Sequence, residues 1–382
     1  MSDNDLIRRI KVTLRQRGLT QRDLANRLGK KEAEVSRWMS GRVGISEASL
    51  RKIEEVLELP RTSPKPIKIG LIGTGSIAAR FAAEAAHVEG CYLSAAYNPD
   101  LDAARLFADR FGIEAVAATP EELLAQCDAV YIASPYKTHY DYALQALQAS
   151  RHVLCETPFT LTRRQAADLY TLAQRKGLTL LVALKTAYCP SYRQTIEVAR
   201  SGIIGEVVDI NLSLTTLVPE KSERLRRVQT GKMAEGICFN LHPVMELLGT
   251  DFRHITYYAR CQDDVETYCR ALVVYPNAVA TLQVGIGVKS EGSMVISGTK
   301  GYIYVPAPWW RTDYFEVRFE DQNQNRKFYY NWEGEGLRYE TQEFLRSIRD
   351  SRLGSPSLTR EQVMAMAKAV QQFNERKKYY IL

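Results

Sequence analysis

The stretch IKIGLIGTGSIA, residues 67 to 78, decides the fold of most of this chain. Its first six residues are nearly all apolar, as in a buried strand, and Gly73 and Gly75 follow just before a helical pattern. Gly73 permits a tight turn, and Gly75 leaves room for a pyrophosphate at the helix N-terminus. A strand, a glycine turn and a helix in this order predict a dinucleotide-binding domain; a glycine turn that binds no nucleotide is the alternative.

Strand-like and helical patterns alternate after this turn, and this alternation predicts a parallel, doubly wound α/β sheet of the Rossmann type. One of the helices has a recognisable start, because Thr119, Pro120 and Glu122 form a capping pattern. We assign residues 67–190 to this domain. The further strand-like runs lie at residues 92–97, 129–134, 152–155 and 178–184.

The C-terminal part, residues 191–382, predicts an α+β domain. Apolar residues alternate with polar ones from Val208 to Leu214, as in a strand with one buried face. Two helical patterns, at about 337–350 and 359–376, end the chain. Further strands are expected at residues 267–275, 278–288, 293–296 and 314–319.

The first 58 residues predict a small all-α domain of short helices around one core. Thr20 and Asp23 form a capping pattern, and Gly29 can end that helix in the left-handed conformation. The stretches LTQRDLANRLG (19–29) and KKEAEVSRWMSG (30–41) resemble the helix-turn-helix of the lambda repressor/Cro type. The expected core consists of Leu24, Leu28, Val35, Trp38 and Ile53.

This resemblance implies DNA binding, since the second and third helices of the motif contact DNA at their starts. Residues 1–45 hold eleven Lys/Arg against five Asp/Glu, or +6 of the net charge of +7. A basic module for protein interaction or dimerisation is the alternative. The implied DNA contacts are Gln21, Lys30, Lys31, Glu32, Ser36 and Arg37, with Arg42 near a phosphate.

The proline-rich segment 59–66 predicts an extended linker after this module.

The composition is that of a globular protein of two or three domains. Its 382 residues are 45% hydrophobic and 25% charged, which excludes disordered and collagen-like classes. The uncharged stretch 271–288 contains Pro276 and polar residues, so it predicts two strands around a turn rather than a membrane span. The N-terminus lacks the pattern of a secretory signal, and the scattered cysteines and histidines form no disulfide framework or zinc motif. We therefore expect a cytoplasmic protein without a bound metal.

The stretch DAVYIASPYKTHYDYALQALQASRHVLCETP, residues 128–158, resembles the signature of the Gfo/Idh/MocA oxidoreductases. The similarity extends from about residue 66 to the C-terminus, and it implies an open, largely antiparallel sheet after the nucleotide domain. It also implies NAD or NADP as the cofactor. NAD is slightly favoured, because at Asn98 neither the usual Asp nor a phosphate-binding cation is present. The implied cofactor contacts are Gly73, Thr74, Gly75, Ser76, Ile77, Ala78, Asn98, Ser134, Pro135, His139 and Glu156.

The chain departs from that family at two positions expected to be catalytic. The family's proton-transferring lysine lies in a Glu-Lys-Pro tripeptide, but here Thr157 takes its place, and Cys238 stands where an Asp is expected. His242 is retained. The segment LVALKTAYCPSY (181–192) places Lys185 just after a predicted strand, at the sheet edge where ligands bind.

These features, with GTKGYIYVPAPWW (298–310), resemble a branch of the family that combines Glu-Ser-Pro or Glu-Thr-Pro with Lys-Thr-Ala-Tyr. We predict Lys185 and His242 as catalytic residues. The alternatives are that Lys185 is a solvated residue or pairs with Glu156, and that His242 is a hydrogen-bonded, partly buried side chain.

Two functions follow from these patterns. The first is an NAD(P)-dependent oxidoreductase that acts on a sugar, nucleotide sugar or polyol and carries a DNA-binding module. The second is a transcription regulator whose degenerate oxidoreductase domain senses a dinucleotide or sugar. A helical module that serves only assembly is a third reading. We expect a homodimer or homotetramer.

Overall fold

The computed structural model describes residues 3–41, 43–57, 65–217, 223–262 and 265–382. The chain divides into two compact units, Met1–Ile67 and Lys68–Leu382. Most of the predicted linker, residues 59–66, lies outside the described residues. None of the helices in the described ranges is long and apolar enough to cross a membrane.

The first unit is a four-helix module around one apolar core. The capping box of Thr20 and Asp23 starts its second helix, and Gly29 ends that helix with a φ of 65°, as predicted. All five predicted core residues are buried, together with Ala25 and Met39. The helices are α1 (Asp3–Gln16), α2 (Gln21–Leu28), α3 (Glu32–Met39) and α4 (Glu47–Val56).

The second unit begins with a six-stranded parallel sheet in the order β3-β2-β1-β4-β5-β6, the doubly wound order of Rossmann folds. The predicted strands are present, and the sequence pattern missed only the three-residue β3. The elements are β1 (Ile67–Ile72), α5 (Ser76–Ala85), β2 (Cys91–Tyr97), α6 (Leu101–Phe111), β3 (Ala115–Ala117), α7 (Pro120–Ala125), β4 (Ala129–Ile132), α8 (His139–Gln148), β5 (His152–Glu156), α9 (Arg163–Lys176) and β6 (Leu180–Ala183).

A nine-stranded, largely antiparallel sheet follows, in the order β14-β13-β12-β11-β7-β10-β9-β8-β15. This confirms the open sheet, although the pairs β7–β10 and β8–β15 are parallel. Its elements are α10 (Pro190–Arg200), β7 (Val207–Thr216), α11 (Glu223–Leu248), β8 (His254–Gln262), β9 (Val265–Val274), β10 (Val279–Ile286), β11 (Met294–Gly298), β12 (Tyr302–Val305), β13 (Tyr314–Arg318), β14 (Arg326–Tyr329), α12 (Leu337–Arg349), α13 (Arg360–Asn374) and β15 (Tyr379–Ile381).

The long helix α11 was not foreseen as one element. It contains Gly236 and Pro243, and its described C-terminal half is apolar on nearly all sides. Such a helix has no amphipathic period, because it is buried between the large sheet and other helices. It packs on β7, β9 and β10 and against α13.

The last two helices return to the nucleotide-binding part of the unit. α12 packs against α5, and α13 packs against α9. Consequently, residues from the parallel sheet, from the large sheet and from α12 surround a common space. The proposed boundary at residue 190 falls inside this compact unit.

Candidate functional site

The glycine turn after β1 is shaped for close approach of a ligand. Gly73 has a φ of 98°, and a Cβ atom there would lie 2.6 Å from the carbonyl oxygen of Ala133. A Cβ at Gly75 would meet open space. Gly75 precedes α5, and its position supplies no side-chain cap to that helix. The helix N-terminus therefore keeps free N–H donors for a phosphate, which fits a dinucleotide.

Asn98 is fixed at the end of β2, where a cofactor's ribose is held in this fold. Its Nδ2 donates to Thr74 Oγ1 at 2.6 Å, and its Oδ1 accepts from the Asp100 N–H at 2.9 Å. The Asp100 carboxylate caps α6 instead. The structure thus joins two predicted cofactor residues, Thr74 and Asn98, by one hydrogen bond.

Ser134, Pro135 and His139 lie together after β4. The His139 ring is buried, with Nε2 2.9 Å from Ser134 O and Nδ1 2.8 Å from Pro158 O. Burial lowers the pKa of this histidine. It therefore ties the end of β4 to the turn after β5, which positions the residues predicted to contact the cofactor.

Glu156 ends β5 as a buried carboxyl group. Tyr131 donates its hydroxyl to Oε1, and the Thr157 N–H donates to Oε2 at 3.3 Å. Burial first, and then the charge of Glu235, raise the pKa of Glu156, and the net result of all effects is a pKa of about 7. The two hydrogen bonds and Lys185 oppose this shift. The group can therefore change its charge near neutral pH.

Lys185 follows β6 in a short 3-10 helix, Lys185–Tyr188. Its Nζ donates to the carbonyl oxygen of Glu335 at 2.7 Å. Burial lowers its pKa, and Arg80 lowers it further. Lys185 is thus neither a fully solvated residue nor, within the described part of the chain, a direct ion-pair partner of Glu156.

Glu156 and Lys185, the two titratable groups just described, both line a cavity of about 300 Å³. Three of its lining residues were predicted as site residues, namely Ile77, Glu156 and Lys185. Trp310 lines one wall, whereas Trp309 is fully buried in the core. The charged lining residues are Arg80, Glu156, Lys185, Glu235 and Glu340.

Arg80, Glu235 and Glu340 were missed from the sequence. A signal existed for Glu340, because it falls on the inward side of the predicted helix near Leu337, Thr341 and Phe344, all buried. A charged residue on the buried face of an amphipathic helix is rare unless it pairs with another group or binds a ligand. Arg80 carried no comparable signal.

Thr157 and Cys238, at the two altered positions, do not line this cavity. They line a separate apolar gap of about 10 Å³ beside Phe159 and Met366. Burial raises the pKa of the Cys238 thiol to about 12, so it stays protonated at neutral pH. Neither side chain is placed to move a proton in the larger cavity.

The structure corrects the prediction that His242 faces the reaction site. Its ring is fully buried, away from the cavity lining. Nδ1 lies 3.0 Å from the Tyr192 hydroxyl, and Nε2 lies 3.3 Å from Ser357 O. Burial lowers its pKa to about 4. This geometry corresponds to the structural alternative, because both ring nitrogens are engaged inside the core.

The predicted DNA-contacting residues lie on the surface of the first unit. Gln21 begins α2 and Glu32 begins α3, and Ser36 and Arg37 follow on α3. Lys30 forms a 3.0 Å ion pair with Glu34. All six described residues of this set are exposed, namely Gln21, Lys30, Lys31, Glu32, Ser36 and Arg37, and Arg42 lies outside the described residues.

Comparisons with known families agree with the two units. Residues 67–184 match an oxidoreductase family described by its NAD-binding Rossmann fold, Gfo/Idh/MocA. Residues 10–62 match a helix-turn-helix family. The two matches lie in the order in which the two folds occur along the chain.

Two curated proteins are similar in sequence. A dTDP-3,4-didehydro-2,6-dideoxy-alpha-D-glucose 3-reductase of Actinomadura kijaniata is 30% identical over 62% of this chain and 71% of the relative. A scyllo-inositol 2-dehydrogenase (NADP(+)) of Bacillus subtilis is 33% identical over 34% of this chain and 40% of the relative.

Two solved structures share the fold. KijD10, a 3-ketoreductase from Actinomadura kijaniata in complex with NADP and TDP-benzene, has a TM-score of 0.71 at 23% identity and covers 83% of this chain and 100% of its own. The UDP-N-acetylglucosamine 3-dehydrogenase GnnA from Acidithiobacillus ferrooxidans has a TM-score of 0.67 at 21% identity, covering 81% and 97%. At this identity the likeness shows the fold.

Proposed function

The chain belongs to the Gfo/Idh/MocA family of oxidoreductases, and on that basis we propose that it is an NAD(P)-dependent oxidoreductase of a sugar, nucleotide sugar or polyol. The observation that carries this proposal is that Lys185 and Glu156 line one cavity at the carboxyl ends of adjacent strands. Because Thr157 and Cys238 lie elsewhere, Lys185 takes over the proton transfer. The names of the relatives support the class of substrate.

The dinucleotide would be held by the turn after β1 and the ends of β2 and β4. Gly73 and Gly75 give the pyrophosphate room at the N-terminus of α5, Asn98 lies at the ribose position, and Ser134 and Pro135 follow β4. When bound, the nicotinamide supplies the hydride chemistry. Both NAD and NADP fit these residues.

The protein's own task is to move one proton at the reacting oxygen. During oxidation the neutral amine of Lys185 accepts the proton of the substrate hydroxyl, the C–O bond becomes a carbonyl, and the carbon loses a hydride. During reduction the ammonium returns that proton. Burial and Arg80 lower the pKa of Lys185, which increases the share of neutral amine available as a base.

His139, Tyr131 and the Thr157 N–H position these groups. Tyr131 and Thr157 hold the Glu156 carboxyl group, and His139 ties Ser134 to Pro158. They act through other residues and do not transfer the proton themselves. His242 remains in the core as a structural residue.

The test is calorimetry with NAD(H) and NADP(H), followed by turnover assays with the Lys185→Met variant. Binding of either dinucleotide, with loss of turnover in the variant, supports the proposal. If neither dinucleotide binds at millimolar concentration, the chain keeps the fold without the function.

A second function, transcription regulation, is favoured by the exposed start of α3 in the helix-turn-helix unit. We propose that this unit binds DNA and that the chain acts as a homodimer or homotetramer on two half-sites. Ligand binding to the oxidoreductase unit would then change DNA binding by the helix-turn-helix unit. Selection of genomic DNA on the purified protein at low salt tests this, and a selection that enriches no sequence contradicts it.

A further inference from the structure

Glu340 carries a buried carboxyl group that the fold itself does not satisfy. The residue lies on α12, lines the cavity of Lys185 and Glu156, and is 1% exposed. Within the described residues, neither Oε1 nor Oε2 has a hydrogen-bond partner. A buried carboxyl group without a partner is destabilising, so its presence requires an explanation.

The other buried carboxylates of this unit are paired. Glu84 forms two hydrogen bonds with Arg338, and Glu246 pairs with Arg193 and Arg200. Glu343, which is half-buried one turn further along α12, also accepts hydrogen bonds, from Arg352 and Ser355. The fold therefore supplies partners where a carboxylate serves structure.

The two cations of the cavity are engaged away from Glu340. Arg80 pairs with the Glu335 carboxylate at 3.2 Å, and Lys185 donates to the Glu335 carbonyl oxygen. Burial raises the pKa of Glu340 well above its usual range, and the charge of Glu156 raises it further, whereas Lys185 opposes the shift. Burial without a hydrogen-bond partner therefore favours the neutral carboxylic acid in the ligand-free protein, which has one O–H donor and one carbonyl acceptor.

We propose that Glu340 is a substrate-binding residue whose neutral carboxyl group recognises a vicinal diol next to the reacting carbon. Its O–H donates a hydrogen bond to one hydroxyl oxygen, and its carbonyl oxygen accepts a hydrogen bond from the neighbouring hydroxyl. One hydroxyl could engage both atoms only through two bent, weaker hydrogen bonds, whereas the two hydroxyls of a diol can each form a nearly linear one. An ammonium group would require the ionised form. This inference rests on the proposed function, since it names the part of a sugar or polyol that the cavity selects.

The first test needs no ligand. Glu340→Met replaces the unsatisfied group by an apolar side chain of similar length, so its melting temperature should exceed that of the unmodified protein. Glu340→Gln should melt at least as high as the unmodified protein. The matched control, Glu343→Gln on the same helix, breaks an existing pair and should melt lower. A lower melting temperature for both Glu340 variants would show a structural role and overturn the proposal.

The second test uses small probes and saturation-transfer NMR in the presence of NADH or NADPH. trans-1,2-Cyclohexanediol should bind better than cyclohexanol and trans-2-aminocyclohexanol. Glu340→Gln keeps one donor and one acceptor, so it should retain diol binding, whereas Glu340→Met should lose it. The proposal is overturned if the amine binds better than the diol and Glu340→Gln abolishes this preference. It is also overturned if the diol binds equally well to all variants or does not bind at all. Calorimetric dinucleotide binding is measured in parallel, so a failure of the proposed function is seen separately.

Discussion

Glu156 ends β5 and Lys185 follows β6, the strand beside it, and the pairing of Glu156 with Ala183 brings both side chains to one cavity. Parallel strands end at the same edge of a sheet, so the residues that follow β5 and β6 share the same ligand crevice. The family's lysine position, Thr157, points to a different apolar gap. In this chain the lysine that lines the cavity therefore follows β6 rather than β5.

Lys185→Met should reduce turnover about 10² to 10⁴-fold, because it removes the group that accepts the hydroxyl proton. Cofactor affinity should stay nearly unchanged, since the phosphate-binding turn is untouched. The measurement is steady-state kinetics on any substrate that is turned over, with calorimetry for the cofactor. Lys176→Met is the matched control, because that exposed lysine also donates to a backbone carbonyl, that of Gln148. A fully active Lys185→Met variant would remove Lys185 from the mechanism.

Gly75→Val should abolish dinucleotide binding and leave the fold intact. A Cβ at Gly75 meets open space, and its φ of −79° is available to any residue, so the new side chain occupies only the space needed by the pyrophosphate. Calorimetry gives the affinity, and thermal unfolding reports the fold. Gly354→Val, at another open position with an ordinary φ, should bind normally. Unchanged dinucleotide binding in Gly75→Val would contradict the assigned phosphate site.

Replacing both Lys31 and Arg37 by Ala should abolish specific DNA binding by the helix-turn-helix unit. Each lost phosphate contact lowers the slope of log affinity against log salt by about one. Fluorescence anisotropy over a salt series with a selected operator measures both effects. The control replaces Lys11 and Lys52, exposed residues of α1 and α4, and removes the same charge. If both double variants lose the same amount of DNA affinity, the interaction depends on charge alone and is not specific.

The contribution of Glu156 to the stability of the second unit should fall as the pH rises from about 4.5 to about 7. The pKa of Glu156 is raised from 4.5 to about 7 by burial, so the native state holds a proton that the unfolded state has already lost. The stabilisation is complete below the unfolded pKa and is lost as the pH passes the folded pKa. Chemical denaturation at a series of pH values measures it.

Glu156→Gln should remove this contribution, because an amide does not titrate, so the difference between the two stability profiles isolates Glu156 from the other buried groups that titrate in this range. Glu340, whose pKa is raised, adds to the fall, whereas His139 and His242, whose pKa values are lowered, oppose it.

Glu235, Lys185 and the Tyr131 hydroxyl all act on the Glu156 carboxyl group, so their variants should move the midpoint. Glu89→Gln, at an exposed position, is the control. If Glu156→Gln and the unmodified protein give the same profile of stability against pH, another group is responsible for the pH dependence.

The helix-turn-helix unit, the parallel sheet and the glycine turn after β1 could all be predicted from the chain alone. Local patterns suffice there. Thr20, Asp23 and Gly29 form the start and end of α2 through contacts within a few residues, and Gly73 permits the positive φ that the turn after β1 requires. The parallel order of the first sheet follows from alternating strands and helices. Such features depend on neighbours along the chain, so they can be read from it.

Which polar groups meet depends instead on how distant parts of the chain pack together. Lys185, Glu156 and Glu340 are separated by long stretches of sequence, and α12 reaches them because it packs against α5. The same holds for His242, whose helix α11 turns it towards Tyr192 and Ser357 instead of the cavity. A sequence pattern indicates that a helix has a buried side, but the layers packed around that helix decide whether a residue on it meets a ligand or the core.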